Sequence, residues 1–267
     1  MTPVSITHAG ITLRYYKEGD GFPLVFIHGF CEDHTVWTDF VEPFTARYTL
    51  LLPDLPGFGH SGLPPHGLTM DFYADCIMAM LAAEKLSRFA IVGHSMGGYV
   101  TMNIAERFPQ QLAGFGLFHS FASADDAAKK KDRERVADFV TVNGSALFVR
   151  ELFKVLFGQR FVKDHQHTID VLVKHAEATS SARGVAYAAL AMRDRRDTTA
   201  VLKKTKVPVL FIIGKEDKAI PVEKSLQQSH LPAHSVISVL KNTGHMGMVE
   251  TPADCRLALH EWLSLIA

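Results

Sequence analysis

Residues 88–108 constrain the architecture more than any other stretch. The apolar run Arg88-Phe-Ala-Ile-Val-Gly93 ends in Gly93-His-Ser-Met-Gly97, and a helical pattern over Met96–Phe108 follows at once. A serine between glycines at a strand-to-helix junction predicts a very tight turn that strains the serine backbone. Gly93 and Gly97 are small enough to let that turn close, and Gly98 allows close helix packing. Such a turn exposes the Ser95 hydroxyl at the end of a sheet, beside the positive end of a helix. The five-residue motif alone occurs by chance, and its flanks give it weight. The competing reading is a Gly-rich turn with an idle serine.

The rest of the chain repeats the strand–helix alternation. Ser5–His8 and Ile11–Tyr16 flank Ala9-Gly10 as a hairpin. Pro23–Ile27, Thr49–Pro53, Gly114–His119, Val207–Ile213 and Ser235–Leu240 read as further strands. Several are unbroken apolar runs, the pattern of strands buried on both faces of a parallel sheet. Helical spacing appears over 33–48, 69–87, 222–230 and 253–265, and Gly/Pro-rich Asp54–Gly67 reads as loop. This predicts an α/β class protein with an eight-stranded, mostly parallel sheet flanked by helices. Residues 121–200 break the rhythm with several helical patterns and no buried strand. The expected organisation is therefore a core from 1–120 and 201–267, with a helical cap inserted at 121–200.

Composition sets the outer limits. At 267 residues and 47% hydrophobic, the chain can bury a large core without staples. Lys+Arg and Asp+Glu are both 28, so charge offers no case for nucleic acid or an anionic membrane. Cys31, Cys76 and Cys255 are odd in number and unpaired in spacing, as expected of reduced thiols. No run approaches the ~18 apolar residues of a membrane span, and the N-terminus lacks a secretory pattern. The expectation is a soluble, cytoplasmic protein, monomer or homodimer.

A serine hydroxyl needs a base before it attacks anything. Thr243-Gly244-His245 follows the last strand and precedes the last helix, which puts His245 on a reachable loop. A carboxylate must orient that histidine, and Gly214-Lys-Glu-Asp217 follows the Val209–Ile213 run, so Asp217 is the choice. Glu216, Asp125 and Asp126 are its rivals, the last two because they follow the strand ending at His119. The chain order Ser95, Asp217, His245 is that of strand–helix serine hydrolases and differs from the chymotrypsin and subtilisin orders. Oxyanion donors are expected at the backbone N–H of Met96 and of Phe30, in the loop His28-Gly29-Phe30. His28 and His94 read as braces, and His260 as a structural helix residue. Histidines and cysteines show no zinc spacing, and Gly57-Phe-Gly59 is no dinucleotide fingerprint.

His28-Gly29-Phe30, Asp54-Leu-Pro-Gly-Phe-Gly-His-Ser61, Gly93-His-Ser-Met-Gly-Gly98, Gly214-Lys-Glu-Asp217 and Gly244-His245 together resemble the α/β-hydrolase superfamily. The likeness is to its small carboxylesterase, enol-lactonase and carbon–carbon-hydrolase branch. It implies a helical cap over the site and no cofactor or metal, and leaves the substrate open. Dehalogenases and epoxide hydrolases of the superfamily carry aspartate where Ser95 stands. Its hydroxynitrile lyases carry lysine where Met246 stands.

The functional expectation is hydrolysis of an ester, thioester or lactone of a small molecule, through an acyl-enzyme on Ser95. Carbon–carbon bond hydrolysis or cofactor-free perhydrolysis would use the same residues. A non-catalytic ligand receptor is the alternative from another class. The cap is rich in phenylalanine, so at least one of Phe139, Phe148, Phe153 and Phe157 is expected to line the pocket, with uncharged acyl groups preferred. A dicarboxylate preference would instead direct attention to Arg150, Arg183 and Arg193.

Overall fold

The computed structural model describes residues 1–266. Its centre is an eight-stranded sheet in the order β1-β2-β4-β3-β5-β6-β7-β8. The strands are β1 (Thr2–His8), β2 (Ile11–Glu18), β3 (Phe22–Ile27), β4 (Tyr48–Pro53), β5 (Phe89–His94), β6 (Leu112–Phe118), β7 (Val209–Gly214) and β8 (Ser235–Leu240). β1 pairs antiparallel with β2, and β2 with β4; every other pairing is parallel. Every residue of β4, β5, β6 and β7 is buried, which is why those segments read as unbroken apolar runs. The edge strands β1 and β8 alternate exposed with partly covered residues, since only one face of each is packed.

The helices are α1 (Thr35–Val41), α2 (Met70–Ala83), α3 (Met96–Arg107), α4 (Ala127–Asn143), α5 (Ala146–Leu156), α6 (Gln159–Asp164), α7 (Gln166–Thr179), α8 (Ala182–Arg193), α9 (Thr199–Lys204), α10 (Val222–Ser229), α11 (Gly247–Glu250) and α12 (Pro252–Leu263). The helical pattern over 33–48 resolves into α1 and a separate 3₁₀ turn at Glu42–Phe44. Pro43 sits in that turn and has no N–H to continue an α-helical ladder. α3 is the central helix, with every residue from Met96 to Ala105 buried. Trp37 of α1 meets Phe26 of β3 and Phe118 of β6, with ring centroids 5.1 and 5.2 Å apart, and so fixes α1 to the sheet.

Between β6 and β7 stand only helices. α4 packs along α8 and α5 against α7. Asp126 caps α4, accepting the Lys129 N–H at 2.8 Å. Ser181 caps α8 in the same way through the Gly184 N–H at 3.1 Å. The chain runs from β3 out to β4, then returns to place β5 on the other side of β3. The carboxyl ends of β3 and β5 therefore open a crevice where the chain reverses direction, the usual ligand position in open α/β sheets.

Candidate active site

Ser95 sits in that crevice with φ 50° and ψ −114°, between β5 and α3. A side chain on this backbone is strained, and the surroundings show what enforces it. A Cβ added to Gly93 would lie 2.2 Å from the Gly97 carbonyl oxygen, and one on Gly98 would lie 2.2 Å from Ser120 Oγ. The Ser120 hydroxyl donates to the Ser95 carbonyl at 2.8 Å, and the Ser95 N–H to the Phe118 carbonyl at 3.0 Å. The turn is thus held by backbone contact and by the neighbouring strand.

His245 lies on the loop between β8 and α11, and its Nδ1 is 2.7 Å from Asp217 Oδ2. With the carboxylate accepting, the ring proton belongs on Nδ1, and Nε2 is left with its lone pair. Asp217 Oδ1 accepts the Ala219 and Ile220 N–H groups at 2.9 and 2.8 Å. Burial works to raise the Asp217 pKa, but His245 and His119 outweigh it and hold the carboxyl far below its ordinary range. Burial likewise works to lower the His245 pKa, and Asp217 reverses it, leaving the imidazole raised above 6.5. No hydrogen bond joins Ser95 to the His245 ring among the described residues; the two meet through a cavity of about 380 Å³ that both line.

Phe30 lines the same cavity, and Met96 is buried beneath it. Neither the Phe30 nor the Met96 backbone N–H has an acceptor among the described residues. Met96 opens α3, so its N–H has no partner within the helix. The rival acids are occupied elsewhere. Asp125 is buried between Arg133 and Arg195, at 3.2 and 2.8 Å. Asp126 caps α4, and Glu216 accepts the Gln159 N–H of α6 at 2.7 Å.

Phe139, Phe148, Phe153 and Phe157, expected to supply at least one pocket residue, do not line this cavity. Its apolar walls come from Phe30, Tyr99, Phe121, Leu152, Leu156 and Met192. Helical rotation explains the correction. Leu152 and Leu156 form an i, i+4 stripe on α5 that turns toward Ser95. Phe153, one residue on, faces Leu172, His175 and Ala176 of α7. Phe157 stacks on Phe161, Phe139 is exposed, and Phe148 stops one layer short, against the Phe30 ring at 5.9 Å.

Three residues escaped the sequence reading of the site. His119, at the end of β6 with φ 47°, is buried and places Nδ1 3.5 Å from Asp217 Oδ2. The Gly214 N–H approaches its Nδ1 and the Gly247 N–H its Nε2, both at 3.2 Å. A neutral ring accepts only one of them. The carboxylate beside Nδ1 favours the proton there, so Gly247 is the satisfied donor. Burial pulls the His119 pKa down to about 4, so the ring is neutral near pH 7. A polar residue closing an apolar strand was the available signal.

Glu32 is the second. Its Oε2 accepts the Gly29 N–H at 2.7 Å and lies 2.9 Å from His94 Nδ1. His94 Nε2 reaches the His245 carbonyl at 2.8 Å, so one imidazole ties the serine turn to both neighbouring loops. Burial works to raise the Glu32 pKa, while His94 and the Gly29 N–H carry it below the usual value. His28 braces the same region, with Nε2 accepting the Leu55 N–H at 2.8 Å. Glu250 is the third. It accepts N–H groups from Gly244 and Met246 at 3.0 Å and from Gly158 at 2.7 Å, joining the His245 loop to the cap.

Two groups could offer several ligand atoms to a metal: His119 with Asp217 and His245, and His34 with Asp54 and His60. In the second, Asp54 Oδ1 is engaged by the His34 N–H and ring, and Oδ2 by the His60 N–H, so the carboxylate serves as a loop brace. A larger hollow of about 650 Å³ lies near the other end of the sheet, lined by Arg88, Glu106 and Lys204 among others, and neither Ser95 nor His245 is in its wall. No helix of the described residues is long and apolar enough to cross a membrane.

Comparison with known proteins identifies relatives of the whole chain. The chain is 23% identical to (E)-2-((N-methylformamido)methylene)succinate hydrolase of Acinetobacter baylyi, over 94% of each chain. It is 26% identical to 2-hydroxy-6-oxo-6-(2'-aminophenyl)hexa-2,4-dienoic acid hydrolase of Metapseudomonas resinovorans, over 97% of this chain and 90% of that one. Among solved structures, a thermophilic esterase from Thermogutta terrifontis with malate bound superposes over 100% of both chains, with TM-score 0.94 and 29% identity. The enol-lactonase of Burkholderia xenovorans shares the fold, with TM-score 0.90 at 18% identity, over 98% of this chain and 100% of that one. Residues 24–256 match the Alpha/beta hydrolase family, and the chain belongs to that family.

Proposed function

We propose that this enzyme hydrolyses a carboxylic ester, thioester or lactone through an acyl-enzyme on Ser95. The observation that carries the reading is the pairing of a strained, cavity-facing Ser95 with a His245 ring oriented by Asp217 at 2.7 Å. In this mechanism Ser95 Oγ attacks the carbonyl carbon and passes its proton to His245 Nε2. The oxyanion accepts the N–H groups of Phe30 and Met96, which have no other acceptor among the described residues. Collapse expels the leaving oxygen or sulfur, which takes the proton from His245. Water repeats the sequence on the acyl-enzyme and releases the acid. Helices α4–α8 act as the lid.

A second reading, carbon–carbon bond hydrolysis, draws support from the 2-hydroxy-6-oxo-dienoic acid hydrolase among the relatives. There the leaving group is a carbanion, which His245 must protonate. Stopped-flow assay with p-nitrophenyl acetate separates the cases: an acyl-enzyme gives a burst of one equivalent per site. Ser95→Ala should abolish the burst and lower turnover by about 10⁴–10⁶. Near-normal turnover by that variant would end the proposal.

A further inference from the structure

We propose that the substrate carries, besides the carbonyl that is cleaved, a carboxylate that docks on a basic wall made by Lys129, Arg133, Lys218 and Lys224. This deepens the reading of Ser95 as nucleophile and rests on it.

The wall is assembled from two directions. Lys129 and Arg133 are an i, i+4 pair on α4, in the cap. Lys218 and Lys224 come from the segment after β7 that also carries Asp217. All four line the cavity that Ser95 and His245 line. The acids in the same lining are each engaged. Glu32 is bound to the Gly29 N–H and His94, and Asp132 pairs with Arg135 at 2.9 Å. Asp126 accepts the Lys129 backbone N–H as the cap of α4. Asp125 is 1% exposed at its side chain and is shared by Arg133 and Arg195, two cations for one carboxylate. Lys129, Lys218 and Lys224 have no carboxylate within 4.0 Å among the described residues.

Cations also lie against aromatic rings of the cavity, while Lys129, Lys218 and Lys224 themselves stay exposed at its mouth. Arg195 Cζ lies 4.0 Å from the centre of the Tyr99 ring, and Lys224 Nζ lies 5.5 Å from that of Phe121; both rings line the cavity. Partial burial, then the nearby Arg133, lowers the Lys129 pKa, while Asp125 and Asp132 work to raise it. Cations gathered on one side of a concave, partly apolar wall concentrate their field there. Glu32, Asp125, Asp126 and Asp132 share the lining, but their bonds to other groups leave the three lysines as the cations open to a substrate carboxylate, and the proposal departs here from the expectation of uncharged substrates. The arginines Arg150, Arg183 and Arg193 are outside the cavity lining: Arg150 pairs with Glu177, Arg193 with Glu134 and Asp194, and Arg183 lies 5.9 Å from the centre of the Tyr187 ring.

Two matched substrate pairs, followed by pH-stat, test this. Ethyl hydrogen adipate against ethyl hexanoate places the charge on the acyl side. 4-Carboxyphenyl acetate against 4-carbamoylphenyl acetate places it on the leaving-group side. In one pair the charged ester should lead in kcat/KM by about tenfold or more, through a lower KM, and added salt should erode that lead. The double variant Lys129→Gln/Lys224→Gln should collapse the preference, and Lys224→Glu should invert it. Equal or better use of the neutral ester in both pairs overturns the proposal, as does an equal loss on both members in the double variant. Labelling of Ser95 by an uncharged phosphonate, and turnover of ethyl hexanoate, report on the nucleophile separately.

Discussion

The floor and the roof of the cavity are built on different principles. The floor is a tight backbone turn at Ser95, where Gly93 meets Gly97, with buried side chains such as Ser120, Glu32 and His94 bonded to the backbone of the turn and of the loops around Phe30 and His245. The Gly93–Gly97 contact in that turn is one that no rotamer change relieves. The roof is helix against helix, α4 on α8 and α5 on α7, joined to the floor by side chains such as Glu250 and His175. A roof of this kind can exchange side chains without moving the floor. The proposed bond-making groups therefore belong to the rigid half, whereas the proposed selecting groups come from both halves, Lys129, Arg133 and Leu152 from the roof and Lys218 and Lys224 from the segment after β7.

The harshest test strikes the floor. Asp217→Asn should keep the fold and cut kcat by about 10⁴, because His245 loses the partner that sets its tautomer. The same change has a pH signature. The base must be neutral to work, and Asp217 raises its pKa above 6.5, so wild-type kcat/KM should fall as pH drops through that raised value. Without the carboxylate the acid limb should shift to lower pH. A loss under tenfold with an unmoved limb would show that the floor is not organised around this pair.

His119→Gln asks how far the floor extends. The variant removes a ring N–H directed at Asp217 from 3.5 Å and should lower kcat by about ten- to a hundredfold, with KM little affected. A change confined to KM would move His119 out of the floor.

A pair of neighbours on α5 sharpens the contrast within the roof. Leu152→Ala should alter KM for acyl chains a few-fold, at about 0.8 kcal/mol for each substrate methylene no longer covered by the wall. Phe153→Ala should instead cost about 3–5 kcal/mol in stability, because its side chain is 2% exposed, and leave chain-length preference as it was. Exchange of these two outcomes would reverse the facing of α5.

The smallest effect concerns the seam. His175 Nε2 of α7 lies 2.7 Å from Asp33 Oδ2 in the core. The hydrogen bond to Asp33 is the chief cause of a His175 pKa above 6.5, so this contribution is full below 6.5 and fades as pH rises through the raised value. Burial opposes ionisation of Asp33, but His175 and Thr35 carry its pKa below 3.8, so that contribution fades only in acid. Amide protection in α7, corrected for intrinsic exchange, should therefore peak between these limits and decline at alkaline pH. His175→Asn should flatten the profile.

The same division explains what the sequence makes legible. Ser95 announces itself because a strained turn admits few residue types around it, and His245 and Asp217 follow from strand ends and chain order. The inner strands β4, β5, β6 and β7 are visible because burial on two faces leaves an unbroken apolar run, and the β1–β2 hairpin is visible by its turn at Ala9-Gly10. The roof is harder to read, since a shift of one residue on a helix turns a side chain by about 100°. Phe153 and Leu152 differ in that way, and composition alone favoured the wrong one. His119, Glu32 and Lys224 are missed for a related reason: their roles depend on neighbours far away in the chain.

The imidazole of His94 has a consequence for how this site tolerates change. It fills the unspecified position of the Gly-x-Ser-x-Gly pattern, yet it spans from Glu32, which holds the Gly29 amide, to the carbonyl of His245. The proposed proton acceptor and the loop of the proposed oxyanion donor Phe30 are thereby referenced to a single spacer. Positional errors in the two loops are correlated: a displacement of one carries the other with it, and their separation is preserved. Loss of the spacer lets them drift independently, so a variant at residue 94 should show wider scatter in loop geometry rather than a shifted mean.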